Sequence, residues 1–425
     1  MANSNLTHTA STGNQKTWTF SAWVKKNNLG SNAYLYSQGS SGSNYIGIYF
    51  GTSDEFKVYN EVSSSQTLYF VTTRKFRDIS AWYHVVVQCD TTQATQGDRF
   101  KIWINGVQET SFSSASYPAQ NSDTNMNVNS SVQRIGVYNA SGSNPNHYFD
   151  GYMSHVALVD GSVVAPTTFG STDSTSGIWK FKSPSGVTWG TNGFHLKFEN
   201  SGALGTDSSG QSNTFAVNGN LKQALDTPSN VYCTINPLYR MDLSNNATLS
   251  NGNNTFSSDQ SGYNIRYGTL GVNKGKWYYE AKFISFSPET SPGMPFGISA
   301  SQIPAGAQTA GYALYDYSYN YDGSNSTVQN NNGNTNYGTT PLNAVGQIGM
   351  CAFDLDNNKV YFGVNGVWTN SGNPAGNANG FTIADPDNTE LGFYFPSTAD
   401  RSSNRSYVYS FNFGNGFFGT TAITS

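Results

Sequence analysis

Charge is scarce in this sequence. Only 11% of its 425 residues are Asp, Glu, Lys or Arg, and the formal net charge is −4. Nucleic acid is bound through basic patches that neutralise phosphate, so no nucleic-acid partner is expected. Cysteine is rarer still. Cys89, Cys233 and Cys351 are odd in number and far apart, which leaves no disulfide framework. They read as small buried apolar groups. No apolar run approaches the roughly 20 residues that span a bilayer, so no membrane insertion is expected. The opening MANSNLTHTAS has no basic stretch followed by an apolar one, so no signal peptide is expected. Heptads and long amphipathic periods are missing, which excludes a coiled-coil shaft. Motifs of catalysis are missing too: there is no GxSxG, no HExxH and no Gly-rich phosphate loop.

Aromatic residues and small polar ones take the place of charge. Low charge can accompany disorder, but 27 Tyr, 26 Phe and 8 Trp exclude it, since disordered chains are poor in aromatics. Aromatic, β-branched and turn-forming residues together predict all-β structure. The first 200 residues show strand patterns at Trp18–Lys25, Tyr45–Phe50, Phe56–Asn60, Trp82–Cys89, Phe100–Ile104, Ser131–Tyr138, Tyr148–Leu158 and Phe194–Phe198, separated by Gly, Asn and Ser clusters. From Asn200 to Leu225 the pattern weakens. A second series follows at Lys276–Ile284, Pro295–Ser299, Gly311–Tyr321, Gly346–Asp354, Lys359–Val364, Leu391–Phe395 and Tyr407–Phe413. At this length two domains can each bury a core. The expected fold class is two β-sandwiches of jelly-roll type in tandem, 1–227 and 228–425.

One phrase occurs in both halves: FKIWINGVQ at 100–108 and VYFGVNGVW at 360–368. In each, a period of two predicts a strand with one face buried. Asn-Gly then supplies the two positive-φ residues of a tight hairpin. Outside these hairpins no fixed-period repeat appears, so the chain is not a repeat array.

Two family resemblances emerge from these patterns. Residues 1–200 resemble the concanavalin A-like, laminin G-like jelly rolls, through KTWTFSAWVK (16–25), FRDISAWYHVVVQCDTTQAT (76–95), RFKIWINGVQ (99–108) and YFDGYMSHVALVDG (148–161). The connection at 193–238 resembles the form seen in phage and prophage virion proteins. From about residue 240 the chain resembles the SPRY (B30.2-like) domain, through GKWYYEAKF (275–283), VGQIGMCAFDLDNNKVYFGVNGVW (345–368) and SFNFGNGFF (410–418). The resemblance implies a bacteriophage virion protein, made in the host cytoplasm and exposed on the particle as a tail-fibre, tail-associated or head-decoration component. Its partners would be other virion structural proteins, copies of itself and host surface glycan. Two rivals are a purely architectural tile and a secreted bacterial lectin-like adhesin.

An enzyme is not expected. Glucanases of the concanavalin-like fold place Glu-x-Asp-x-x-Glu on one strand, and two carboxylates flank the scissile bond. Here Glu55, Glu61, Glu109, Glu199, Glu280, Glu289 and Glu390 are scattered. Many laminin G-like domains bind calcium at a loop rim through hard oxygen ligands. The resemblance therefore makes Asp90 and Asp98, in one loop, and Asp150 the candidate calcium ligands. His147 and His155 lie too far apart along a strand to share a metal and read as surface histidines.

YALYDYSYNYDGS at 312–324 offers the candidate binding site. Tyr315, Tyr317, Tyr319 and Tyr321 alternate with polar Asp316, Ser318 and Asn320 and so share one face. Either these rings fill a core, or they form a platform for sugar or a partner subunit. In the second reading Tyr319 and Tyr321 are the exposed members. Asp322, Asn325 and Asn331 of the adjoining Asn/Gly/Ser/Thr-rich loop 322–336 supply hydrogen bonds.

Overall fold

The fold is that of a computed structural model, which describes residues 3–139, 145–242, 247–258, 264–287, 295–302, 316–323, 326–331, 333–399, 406–415, 417–418 and 421–422. The chain is all-β and divides into two compact units, Met1–Val231 and Tyr232–Ser425. Among the described residues no helix is long and apolar enough to cross a membrane.

Unit 1 is a sandwich of two antiparallel sheets. Its eight-stranded sheet runs Phe112–Ser116, Ser65–Lys75, Glu55–Val62, Asn44–Phe50, Ala33–Ser41, Val132–Ile135, Asn5–Thr9 and Ala216–Asn218. Its six-stranded sheet runs Phe194–Leu196, Gly151–Asp160, Thr17–Lys26, Tyr83–Asp90, Phe100–Ile104 and Val107–Gln108. Strand alternation sends Ile46, Ile48, Phe50, Val58 and Phe70 from one sheet against Phe20, Val24, Val85, Val87 and Ile102 from the other, forming one core.

The two outer faces differ. The six-stranded sheet is covered again on its far side. Phe169 packs there on Val86, Ala157 and Val159, with Trp103, Val164, Val187 and Trp189 against them. His84 is fully buried under this layer. Trp23 stacks on it at 4.6 Å, and Trp179 stacks at 5.9 Å and donates Nε1–H to its Nδ1 at 3.0 Å. Burial pushes the His84 pKa down to about 3. Nothing comparable covers the eight-stranded sheet among the described residues, and tyrosine side chains occupy its outer face.

The weakly patterned connection belongs to unit 1. Ala216–Asn218 pairs with Asn5–Thr9. Beyond it, Asp226 is buried, where its Oδ2 accepts from Lys25 Nζ at 2.7 Å and its Oδ1 from Trp82 Nε1 at 2.8 Å. A buried carboxylate needs this pairing to offset desolvation, and so the segment is tied to the sandwich until the unit ends at Val231.

Unit 2 is a second antiparallel sandwich. One sheet orders Ile235–Asp242, Asn264–Gly268, Phe395–Ala399, Pro295–Ser299, Ser318–Asp322, Thr327–Asn330 and Gly333–Asn336. The other orders Thr248–Ser250, Thr255–Ser257, Ser406–Asn412, Lys276–Ser287, Ile348–Asp354, Lys359–Val364 and Val367–Trp368, with Phe381–Thr382 added to Lys359–Val364. Tyr279, Phe283, Phe296, Ile298, Tyr321, Phe353, Phe362 and Tyr409 fill the core. The strand expected at Leu391–Phe395 lies at Phe395–Ala399 instead. Gly392 at φ 71° interrupts the earlier run, and Phe393 points outward at 43% exposure.

The two Asn-Gly hairpins form as expected. Asn105 and Gly106 have φ of 50° and 76°, and Asn365 and Gly366 have 49° and 84°. Each Asn does the same second job. Its Oδ1 accepts from the partner strand, from the His84 amide at 2.7 Å and the Ile348 amide at 2.8 Å. All three cysteines are buried thiols.

Candidate functional site

Three strands of unit 1 build an aromatic surface. In Asn44–Phe50 and Glu55–Val62 the aliphatic and Phe positions point to the core, so Tyr45, Gly47 and Tyr49, then Lys57, Tyr59 and Glu61, are left outside. Tyr69 joins from Ser65–Lys75 in register with Tyr59. Tyr34 arrives by another route. The register between Ala33–Ser41 and Asn44–Phe50 slips between Tyr34 and Tyr36, and Leu35 and Tyr36 are both buried in the core. Such a bulge re-aims one side chain, and here it turns Tyr34 outward.

The rings pack into a continuous patch. Tyr34 stacks on Tyr49 at 4.2 Å with 4° between planes, and Tyr138 lies 4.9 Å from Tyr34 and 5.3 Å from Tyr45. Tyr45 is 5.3 Å from Tyr59, and Tyr59 is 5.6 Å from Tyr69. His147 stacks at the rim, 6.1 Å from Tyr34. Gly47 makes the centre shallow. A Cβ there would come within 2.6 Å of the Tyr34 ring, so only glycine lets that ring lie across the strand.

Polar groups are fixed among the rings. Tyr59 donates its hydroxyl to Glu61 Oε2 at 2.7 Å. Lys57 pairs with Glu55 at 2.7 Å and sits 6.0 Å over the Tyr49 ring. Burial raises the Tyr49 and Tyr59 pKa to about 12, the bond to Glu61 adding to the shift at Tyr59, and burial raises Tyr34, Tyr45 and Tyr138 as well. The phenols are therefore neutral hydrogen-bond donors near neutral pH. Tyr45, Tyr49, Tyr59, Tyr69 and Tyr138 are all half-buried, with one part of each ring packed and the other reachable.

The tyrosine run of unit 2 takes the opposite role. Tyr319 is 6% exposed and Tyr321 0%, and both belong to the core of that unit. Tyr319 accepts from the Ala384 amide at 3.1 Å, and Tyr321 donates to the Thr340 carbonyl. Of the two readings, core packing therefore holds for Tyr319 and Tyr321, and the platform reading that exposes them is corrected. Their strand alternates Tyr with Ser318, Asn320 and Asp322, so the tyrosines are its most apolar face and must point inward. Asp322 is itself buried and accepts from Gln329 Nε2 at 3.1 Å. Tyr317 is half-buried against the core, and Asn331 is exposed at φ 44°. Tyr315 and Asn325 lie outside the described residues. The loop 322–336 is not a loop throughout, since it contains the strands Thr327–Asn330 and Gly333–Asn336.

The three candidate calcium ligands do not converge. Asp90 pairs with Thr17 at one end of Thr17–Lys26, and Gly151, next to Asp150, pairs with Lys26 at the other, about 30 Å away by strand rise. The Asp90 carboxylate accepts from Thr92 Oγ1 and Gln93 Nε2, both at 2.6 Å. Asp98 is paired with Lys101 at 2.8 Å. Asp150 accepts from Asn27 Nδ2 at 3.3 Å, and burial raises its pKa. Among the described residues no three His, Cys, Asp or Glu side chains gather as a metal site.

The signal for the unit 1 surface is present in the sequence. Tyr45-x-Gly47-x-Tyr49 and Lys57-x-Tyr59-x-Glu61 alternate with Ile, Val and Phe. In such a strand the aliphatics claim the core and the tyrosines are displaced outward.

Residues 2–167 match the family described as the concanavalin A-like lectin/glucanases superfamily. A search of curated proteins finds no match. Among solved structures, the SPRY domain of human HERC1 is similar at 14% identity over 42% of this chain and 98% of that one, with a TM-score of 0.32. A putative carbohydrate binding protein from Bacteroides ovatus matches at 14% identity over 53% and 59%, TM-score 0.38. A heptameric SAP-like pentraxin from Limulus polyphemus matches at 13% identity over 44% and 82%, TM-score 0.32.

Proposed function

We propose that this chain is a non-enzymatic saccharide-binding protein of a phage particle surface, and that the tyrosine face of unit 1 is its binding surface. One observation carries the binding reading: six tyrosine rings and the Tyr59–Glu61 pair are fixed side by side on a sheet face that, among the described residues, has no second layer over it. Sugars present apolar C–H faces and rims of hydroxyls. They need flat rings beside fixed donors and acceptors, and this face offers both. The match of residues 2–167 to the concanavalin A-like lectin/glucanases superfamily supports a lectin-like sandwich as the scaffold of this face.

The non-enzymatic reading is supported by the spacing of the two glutamates nearest this face. Glu55 and Glu61 are six residues apart on one strand, about 20 Å. A glycosidase pair is separated by roughly 5–9.5 Å. The virion setting is supported by a charge-poor chain rich in Asn, Ser, Thr and Gly. A shallow site of this kind is weak alone, and many copies on one particle compensate through effective concentration. Neighbouring virion proteins and further copies of the chain are the other proposed partners.

Combining Tyr59→Phe with Glu61→Gln tests the reading. Affinity for host surface polysaccharide should fall about tenfold, the loss of one good hydrogen-bonded group, with the melting temperature held. Unchanged binding, with the variant protein lost from purified particles, would favour an architectural tile. Release of reducing sugar by the purified protein would refute the non-enzymatic claim. Recovery of the chain from culture medium rather than from particles would make it a secreted adhesin.

A further inference from the structure

A second surface, in unit 2, repeats the construction of the tyrosine face. On the outer side of Lys276–Ser287, Tyr278 donates its hydroxyl to Glu280 Oε1 at 2.8 Å, as Tyr59 does to Glu61. The carboxylate is fixed from its other side too, because Asn412 Nδ2 donates to Glu280 Oε2 at 3.2 Å. An aromatic ring again lies over a glycine. Gly363 pairs with Trp368, and a Cβ at Gly363 would come within 3.1 Å of that indole. Tyr278 stands edge-on to Trp368 at 6.2 Å and is 48% exposed.

These groups form one row. Asn412, Glu280, Met350, Gly363 and Trp368 are successive register partners across five strands, a span of about 19 Å at the usual strand spacing. Met350 is nearly buried between the polar end and the indole. The result is a shallow strip with a carboxylate and an amide at one end and two rings toward the other.

We propose that this strip is a second saccharide-binding site, built independently of the first. It rests on the same chemical reading as the tyrosine face but on different residues. Sugar hydroxyls pair with Glu280 and Asn412, and a C–H face lies on Trp368 and Tyr278. Addition of a peptide strand is blocked at the polar end of the strip. Lys276–Ser287 and Ile348–Asp354 are each paired on both sides, so no backbone edge is open to extension. The mutual hydrogen bonds hold the polar groups before a ligand arrives, which lowers the ordering cost of binding.

The test uses the full chain, fluorescently labelled, on a printed array of defined oligosaccharides. Four proteins are compared: the wild type, a Tyr45→Ala/Tyr59→Ala variant, a Glu280→Gln/Trp368→Ala variant, and the four-fold combination. Unfolding curves establish that each is folded. The Tyr45/Tyr59 variant should keep binding to some saccharides, and adding the Glu280 and Trp368 changes should weaken that remainder at least about tenfold, as expected for loss of a charged hydrogen-bonding group. If the remainder is unaffected, or if the Tyr45/Tyr59 changes alone abolish all binding, the second site is wrong and the first stands. If the Glu280/Trp368 changes alone abolish all binding, the first site is wrong and the second stands. A wild type that binds no saccharide overturns both.

Discussion

In unit 1 the Asn105-Gly106 turn is roofed by Trp179, whose ring lies within 2.4–2.7 Å of where a Cβ on Gly106 would sit. In unit 2 the matching position at Gly366 faces open space. The two hairpins share backbone angles and the same Asn hydrogen bond to the neighbouring strand. What differs is the layer above. Unit 1 folds residues 162–193 back over its six-stranded sheet, and that layer buries His84 and closes over the turn. A short sequence phrase therefore specifies a turn but not its surroundings, and the surroundings decide how sensitive each copy is to change.

The largest expected contrast lies between the two sets of tyrosines. Tyr321→Ala should destabilise unit 2 by about 3–5 kcal/mol, as for other large core truncations. Tyr59→Ala, half-buried on an outer face, should cost unit 1 about 1 kcal/mol. Calorimetry of the full chain reads both through the transition that moves. Equal losses would mean that the inward and outward assignments are wrong.

Next come the turns. Gly106→Val combines positive-φ strain with overpacking against Trp179 and should cost about 3–4 kcal/mol. Gly366→Val meets only the strain and should cost about 1–2 kcal/mol. Equal shifts in melting temperature would show that the Trp179 roof yields freely.

Acid sharpens the comparison further, since all five histidines fall in unit 1. His84 is held at about 3 by burial. His155 and His195 are also pushed down by burial, to about 3 and about 4. The unfolded chain takes up protons below pH 6.5 while folded His84 stays neutral. Its stabilising contribution is therefore full above that pH and is lost as pH falls toward 3. From pH 6.5 to 4.5, His84 alone should lower unit 1 by roughly 2–3 kcal/mol. Unit 2 lacks histidine. Its Asp354 loses solvation on burial but is held below the usual carboxylate range by Asn357 and Lys276, so its contribution is lost only at lower pH. In calorimetry at the two pH values, the unit 1 transition should move far more than the other. Parallel movement would contradict the burial of His84.

Alternation and Asn-Gly made the all-β class, the two hairpins and most core strands legible in the sequence. The pattern at 200–227 was weak for a physical reason: that stretch has one short edge strand and is otherwise held by isolated side chains, Leu204 and Phe215 buried, Asp207 bonded to the His195 amide and Asp226 paired with Lys25, and these impose no period. The binding surface was harder to read. Alternating tyrosines occur in both units, and which set faces outward depends on the residues between them. Ile46 and Ile48 displace Tyr45 and Tyr49 to the surface, whereas Ser318 and Asn320 leave Tyr319 and Tyr321 as the core. The bulge that turns Tyr34 outward has no signature in the local pattern.

The central claim is that saccharide binds the outer tyrosine face of unit 1. Ring-selective tyrosine NMR spectra, recorded on the full chain during titration with an oligosaccharide that it binds, test this residue by residue. Shifts are expected at Tyr45, Tyr49, Tyr59 and Tyr69, with Tyr319 and Tyr321 unmoved. Shifts confined to Tyr317, Tyr319 and Tyr321, with the unit 1 rings silent, would contradict it.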